Sequence, residues 1–195
     1  MLSKDPIALK FQFDKTIQLY GDRAGGQGNF DFAGLAELQT IKVVLLKGNS
    51  HSLEQPADWR RFLRLLDLAQ RLHKPVLLWN LPLTQNTSIE KLTSLELGTA
   101  IKDVRIKLLR LPQPIISVFD DTFGIDNENY ILKSVDGVIV VVSDEENDKE
   151  ELLIKQNNLF YVNKLSDISK KVSELLDEFS RGEVNELVAG RLERV

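Results

Sequence analysis

The sequence predicts an α/β protein built on a mostly parallel sheet, and two observations lead to this prediction. Short apolar runs alternate along the chain with longer segments of helical periodicity. The apolar runs are continuous and rich in β-branched residues, as in strands buried on both faces of a sheet. A strand, helix, strand order of this kind joins parallel neighbours through right-handed crossovers.

Four apolar runs are predicted as buried strands, and a fifth run before them is predicted as a further strand. Prolines precede two of these runs and mark the points where the chain leaves a helix. In chain order the predicted strands are Phe32–Leu38, Lys42–Lys47, Val76–Trp79, Ile115–Phe119 and Gly137–Val142.

The segments between and after the strands have apolar residues at helical spacing. The first helix begins at Pro56, since proline is tolerated in a first turn, and Pro75 prevents its continuation. The second ends before Pro112, and Gly182 separates the third helix from a short fourth. The predicted helices span 56–72, 97–111, 166–179 and 183–193.

The 195 residues are enough for one domain with a sizeable core. We expect a single domain over 1–195, with an N-terminal arm at 1–30, an α/β core at 31–142, and an acidic loop with C-terminal helices at 143–195. The chain has no cysteine, which excludes disulfides, thiolate metal sites and a cysteine nucleophile.

The charge and hydropathy of the chain bear on its partners and location. The net charge is −4, which gives no electrostatic reason to expect nucleic acid or an anionic membrane as a partner. No apolar run reaches the length of a membrane span, and the first residues lack the pattern of a secretory signal. We therefore expect a cytoplasmic protein.

Two carboxylates stand at the strand ends where α/β proteins place their sites. Asp120 and Asp121 directly follow the strand Ile115–Phe119. Paired carboxylates in this place suit metal binding or acid–base chemistry, although a polar turn that caps the next helix is the favoured interpretation. The polar segment Thr84–Ser88 follows the strand Val76–Trp79 in the same topological place. It fits an ordinary loop and helix cap as well as it fits a functional site.

Three other patterns have structural interpretations that outweigh the functional ones. His51 and His73 lack the spacing of a metal site, so no metal is predicted. The Gly-rich segment Gly21–Gly28 does not fit a nucleotide-binding fingerprint and is read as a turn. A stripe of charged side chains on the first helix is read as a solvated, salt-linked face; its members are Arg60, Arg64, Asp67 and Arg71.

An ordered set of motifs resembles the α subunit of the acetyl-CoA carboxylase carboxyltransferase family. The first is the segment Phe13–Ala24, which reads FDKTIQLYGDRA against a family phrase of the form Phe-Asp-x-Phe-x-Glu-Leu-His-Gly-Asp-Arg. The others follow in the family's order along most of the chain: Gly34–Ala36, Lys47–Gly48, Trp59–Val76, Leu109–Ile116 and Glu186–Glu193.

This resemblance implies a crotonase-like β-β-α superhelix of the ClpP/crotonase type. In that family the α subunit pairs with a β subunit, and the site forms between them. The reaction transfers a carboxyl group from carboxybiotin to acetyl-CoA and gives malonyl-CoA for fatty-acid biosynthesis.

The sequence departs from the family at its glycine-rich loops. After the second buried strand the family has Asp-Thr-Pro-Gly-Ala, where this chain has Asn80, Leu81 and Pro82 with no glycine following. After the third, the family's Gly-Glu-Gly-Gly-Ser-Gly-Gly-Ala gives way to a segment that keeps one glycine; it reads Asp120, Asp121, Thr122, Phe123, Gly124. Glycines there let backbone N–H groups reach a developing oxyanion, and side chains block that approach.

We therefore expect a noncatalytic relative of this α subunit, without a cofactor, that binds a carboxyltransferase β subunit or a second copy of itself. One alternative is an active acyl-CoA carboxyltransferase or crotonase-type enzyme. In that case Asp120 or Asp121 would act as acid or base, Gly124 would donate to the oxyanion, and a CoA thioester would bind. A second alternative is a regulatory module that binds an unrelated partner through the acidic loop Asp144–Glu151.

Overall fold

The computed structural model describes residues 13–21, 26–81, 95–119, 133–141 and 158–194. This part of the chain forms seven strands, which are β1 (Lys15–Gln18), β2 (Phe32–Leu38), β3 (Ile41–Lys47), β4 (Val76–Trp79), β5 (Ile115–Phe119), β6 (Gly137–Val141) and β7 (Leu159–Val162). Its helices are α1 (Pro56–Leu72), α2 (Leu95–Arg110), α3 (Leu165–Arg181) and α4 (Val184–Arg194).

All seven strands belong to one sheet, and their order in the sheet is their order along the chain. The first three strands pair antiparallel, and β3 through β7 pair parallel. The predicted α/β class, the five predicted strands and the four predicted helices are confirmed, with bounds that shift by at most a few residues.

The strands β1 and β7, which the sequence did not predict, are the two edges of this sheet. The segment of β1 was predicted as part of an arm, and three of its four residues are exposed. Three of the four residues of β7 are half-buried. Strand β1 carries no apolar pattern that periodicity could reveal, whereas β7 reads Leu-Phe-Tyr-Val, an apolar run that the prediction missed. The acidic loop Asp144–Glu151 lies outside the described residues.

The sheet separates two hydrophobic layers. On one face α1 and α2 pack against alternate strand residues such as Val44, Leu78 and Phe119. On the other face α3 packs against the intervening residues, among them Ile139 and Val141. Burial on both faces explains why the central strands read as continuous apolar runs. None of the helices in the described ranges has the length and apolar composition needed to cross a membrane.

A buried ion pair attaches the last helix to the sheet. Arg191 on α4 is completely buried, and its Nε donates to Asp136 Oδ1 at 2.8 Å while its Nη2 donates to Asp136 Oδ2. The guanidinium also donates to the carbonyl oxygens of Leu108, Leu111 and Gln113, at 3.1, 2.6 and 2.8 Å. A buried charge is tolerated only when it is paired and hydrogen-bonded in this way.

Replacing Arg191 by methionine should lower the free energy of unfolding by roughly 3–5 kcal/mol, because the buried Asp136 carboxylate loses its partner. Urea unfolding followed by circular dichroism measures this change. The exposed Arg181, at the end of α3, provides the control, and Arg181→Met should shift the free energy by less than about 0.5 kcal/mol. Equal effects of the two substitutions would contradict the assignment.

Candidate functional site

The candidate site lies at the carboxyl edge of the parallel strands. The register places Lys47 of β3 beside Trp79 of β4, and Trp79 beside Val118 of β5. The three strands therefore end side by side, and the residues that follow them share one edge of the sheet. Clefts at the carboxyl ends of parallel strands are where ligands bind in open α/β sheets.

The structure places two of the predicted site residues at this edge. Asn80 and Leu81 directly follow β4, and both are buried. The other predicted site residues lie outside the described residues and stay predictions; they are Pro82, Asp120, Asp121, Thr122, Phe123 and Gly124.

Asn80 has an uncommon backbone conformation at the end of β4. Its φ is +47°, in the left-handed region that L-residues rarely occupy. Its N–H donates to Val118 O at 2.9 Å, which extends the ladder between β4 and β5 by one bond. The left-handed residue turns the chain sharply, and Leu81 then enters the layer of apolar side chains under α1 and α2 with no exposed surface.

Gly48, which follows β3, lies directly against this turn. Its N–H donates to Trp79 O at 2.8 Å. A Cβ at this position would lie 2.6 Å from Asn80 O and 2.8 Å from Leu81 Cδ2. Only glycine allows the two loops to approach so closely.

The loop after Gly48 is held by side-chain hydrogen bonds. Asn49 Nδ2 donates to Asn29 O at 2.8 Å and to Asp31 Oδ1 at 2.6 Å. Ser52 Oγ donates to Asn29 O at 3.0 Å and accepts the N–H of Asn49 at 3.0 Å. Sequence reasoning missed these residues. The signal was present, because Gly-Asn dipeptides stand at 28–29 and at 48–49, next to strands.

Asp58, in the first turn of α1, connects this loop to the segment before β2. Its carboxylate accepts the N–H of Asn29, and it accepts the N–H of Gln55 at 3.3 Å. Burial raises the pKa of Asp58 above its ordinary value of 3.8, while these hydrogen bonds and the charge of Arg61 act in the opposite direction. Gly28 has φ of +66°, and a Cβ there would lie 2.3 Å from Asp58 Oδ1.

Two arginines of α1 hold the Gly-rich segment against the helix. Arg61 is buried, and it donates to Gln27 O at 2.8 Å and also to Leu19 O. Burial lowers the pKa of Arg61. Arg64 donates to Gly21 O at 3.2 Å. The predicted turn at Gly21–Gly28 is therefore packed on α1 at both of its described ends.

Two members of the charged stripe on α1, Arg60 and Asp67, face α2, whereas Arg64 binds the Gly-rich segment. Arg60 pairs with Glu96, and Asp67 pairs with Lys107 at 2.6 Å. This agrees with the predicted salt-linked face. The structure adds that the pairs join two helices that run side by side.

The two histidines lie at opposite ends of the parallel strands, His51 after the end of β3 and His73 before the start of β4. His51 follows β3, and its exposed ring has Nδ1 3.5 Å from Glu54 Oε1. His73 is the exposed residue that ends α1, with φ of +51°. Within the described ranges, no three His, Cys, Asp or Glu side chains are grouped as they would be around a metal ion.

We expect Gly48→Ala to lower the free energy of unfolding by about 1–3 kcal/mol, because the new methyl group overlaps the Asn80 carbonyl. Gly98 on α2 is the matched control, since a Cβ there has no neighbour within 4 Å. Gly98→Ala should raise stability by about 0.5–1 kcal/mol through helix propensity. Thermal and urea unfolding of both variants measure the difference. A neutral Gly48→Ala substitution would mean that the two loops are not in contact.

The raised pKa of Asp58 predicts a pH dependence of stability. The unfolded chain loses this proton first, so the free energy of unfolding falls as pH rises from the ordinary pKa of Asp to the raised folded-state pKa. Asp58→Asn should remove this fall. Urea unfolding at pH values across the acidic range, compared with the exposed control Asp103→Asn, measures it. The same pH slope in wild type and Asp58→Asn would contradict the expectation.

No protein-family model matches the chain. Over 79 residues it is 37% identical to the acetyl-coenzyme A carboxylase carboxyl transferase subunit alpha of Erythrobacter litoralis (strain HTCC2594). The match covers 35% of this chain, and it spans a quarter, 25%, of the length of that curated relative. The resemblance inferred from the motifs is thus confirmed over part of the chain.

Solved structures with the same fold cover most of the chain. Transcarboxylase 12S has a TM-score of 0.60 at 12% identity, over 91% of this chain and 41% of its own. The MdcD–MdcE heterodimer of Pseudomonas malonate decarboxylase has a TM-score of 0.59 at 12% identity, and the match covers 87% of this chain and 85% of that chain. An enoyl-CoA hydratase/isomerase family protein from Pseudomonas syringae has a TM-score of 0.58 at 14% identity, and the match covers 83% of this chain and 89% of that chain.

Identities this low show the fold alone, and the fold is the one that the motifs predicted. The chain therefore has the crotonase-like fold, and part of it resembles the carboxyltransferase α subunit of acetyl-CoA carboxylase.

Proposed function

We propose that this chain is a noncatalytic relative of the carboxyltransferase α subunit that acts by binding a protein. The partner is a carboxyltransferase β subunit or a second copy of the chain. The proposal combines a scaffold of the crotonase-like fold with a carboxyl edge that is unsuited to oxyanion chemistry.

The observation that carries the proposal concerns two backbone donors at the carboxyl edge. The N–H of Gly48 donates to Trp79 O at 2.8 Å, and the N–H of Asn80 donates to Val118 O at 2.9 Å. A donor that is already used by the sheet is not available to stabilise charge on a substrate oxygen, which is the main catalytic contribution of an oxyanion hole. Neither of these donors can serve that purpose without breaking a strand contact.

Two further features support the same function. Leu81 is completely buried among the apolar side chains of the core, so the turn that it follows packs against the core. The segment after β5 begins with Asp120 where the family phrase begins with glycine, and an added negative charge there repels an enolate or carboxylate.

The proposal of a protein partner is supported by the assemblies of proteins with this fold. The malonate decarboxylase structure is a heterodimer, and transcarboxylase 12S assembles as a hexamer. Among the described strands β1 is an edge of the sheet, and its Ile17 is 61% exposed. The unpaired N–H and C=O groups of an edge strand can pair with a strand of another chain.

An acyl-CoA enzyme is the second candidate, because transcarboxylase 12S binds methylmalonyl-coenzyme A on the same fold. In this candidate Asp120 or Asp121 is the acid–base group and Gly124 is an oxyanion donor, and a CoA thioester binds between the ends of β4 and β5. The two functions differ in whether the protein turns over acetyl-CoA.

The two candidates are separated by mixing the purified chain with a carboxyltransferase β subunit. Sedimentation velocity should show a complex at micromolar concentrations, or a homodimer of the chain alone, and malonyl-CoA formation should not exceed that of the β subunit by itself. An authentic α subunit provides the positive control. Turnover that is lost in Asp121→Asn and retained in the exposed-surface control Asp103→Asn would establish the enzyme instead. A chain that neither turns over nor associates with the β subunit or itself would refute the proposal.

A further inference from the structure

A cleft of about 400 Å³ opens at the opposite ends of the strands from the candidate site, at the amino ends of β3 and β4. It lies between the turn that joins β2 and β3, the end of α1 and the last turns of α3. No proposed role uses it so far. The polar residues that line it are Thr40, Lys42, His73, Lys74, Asp177 and Ser180.

The backbone around this cleft is strained at three positions. Gln39 and Thr40, the two central residues of the β2–β3 hairpin, have φ of +46° and +76°. His73, which ends α1, has φ of +51°. Glycine or asparagine is preferred in such turns, and a positive φ is particularly unfavourable for a β-branched residue such as threonine.

Each strained position carries a polar side chain that glycine would not provide. The side chain of Gln39 accepts the hydroxyl hydrogen of Ser173 at 3.1 Å, which ties the hairpin to α3. Thr40 and His73 line the cleft directly. Backbone strain persists at sites where the side chain has a use that the rest of the structure supports. The strain therefore marks the cleft as a place where polar side chains are needed.

The charges around the cleft favour an anion. Neither Lys42 nor Lys74 forms an ion pair with the described part of the chain. The carboxylate of Asp177 also lines the cleft and offsets part of the positive charge of the two lysines. The carboxyl ends of α1 and α3 also carry partial negative charge, but Arg71 and Arg181 lie in those last turns and offset it. Two lysines thus remain to attract a ligand.

We propose that this cleft binds the phosphate group of a small molecule. Lys42 and Lys74 supply positive charge, as lysine does in many phosphate sites, and the Thr40 and Ser180 hydroxyls donate hydrogen bonds to its oxygens. The volume is in the range of small-molecule sites. This site is separate from the carboxyl ends of the strands at Gly48 and Asn80, because it lies at the amino ends of β3 and β4.

Titration of the full chain with inorganic phosphate, followed by amide NMR shifts, tests the proposal. Lys42→Met with Lys74→Met should weaken binding about tenfold. The control variant Lys102→Met with Lys164→Met replaces two exposed lysines that do not line the cleft, and it should bind as the wild type does. Absence of phosphate binding, or equal weakening in both variants, would overturn the proposal. Tighter binding of succinate than of phosphate would overturn the choice of ligand.

A second pair of variants separates a ligand role from a purely structural one. Thr40→Ser keeps the hydroxyl and should bind phosphate as the wild type does. Thr40→Gly removes the hydroxyl but suits a φ of +76°, so it should weaken phosphate binding several-fold without lowering the melting temperature. Equal phosphate affinity in the two variants would show that the hydroxyl does not contact the ligand.

Discussion

The buried pair of Arg191 and Asp136 is the interaction on which the arrangement of the sheet and helices depends. Asp136 Oδ2 also accepts the N–H of Ile115 at 2.8 Å, so one carboxylate joins the start of β5, the residue before β6 and helix α4. The same guanidinium binds the carbonyls at the end of α2. Because both charges are buried, moving either one away would leave the other buried and unpaired. These segments are therefore held together as one unit.

The alignment of strands at their amino ends determines what meets at their carboxyl ends. The pairing of β4 with β5 ends at Asn80, where the chain turns out of the sheet. This turn places the Asn80 carbonyl against Gly48. At this edge the backbone donors of Gly48 and Asn80 are both used by the sheet. These hydrogen bonds are the observation on which the proposed binding function rests.

The two edges of the sheet therefore differ in character. At the carboxyl edge, the loops after β3 and β4 pack on each other. Asp58 and Arg61 of α1 form hydrogen bonds with the backbone of the segment before β2. At the amino edge, the hairpin turn and the end of α1 leave a cleft beside α3. Strain occurs at both edges, but at Asn80 it serves packing, whereas at Thr40 and His73 it accompanies side chains that line open space.

The sequence by itself determined the five strands from β2 to β6, the four helices and the likeness to the carboxyltransferase α subunit, because continuous apolar runs, helical spacing and motif order are properties of neighbouring residues. It also indicated Asn80 and Leu81 as residues at the carboxyl edge. Only the tertiary structure decided that β1 and β7 complete the sheet, that Asn29 meets Asp58, and that Arg191 meets Asp136 across 55 positions. Such contacts depend on how separate segments approach in space, and no local pattern of residues records that approach.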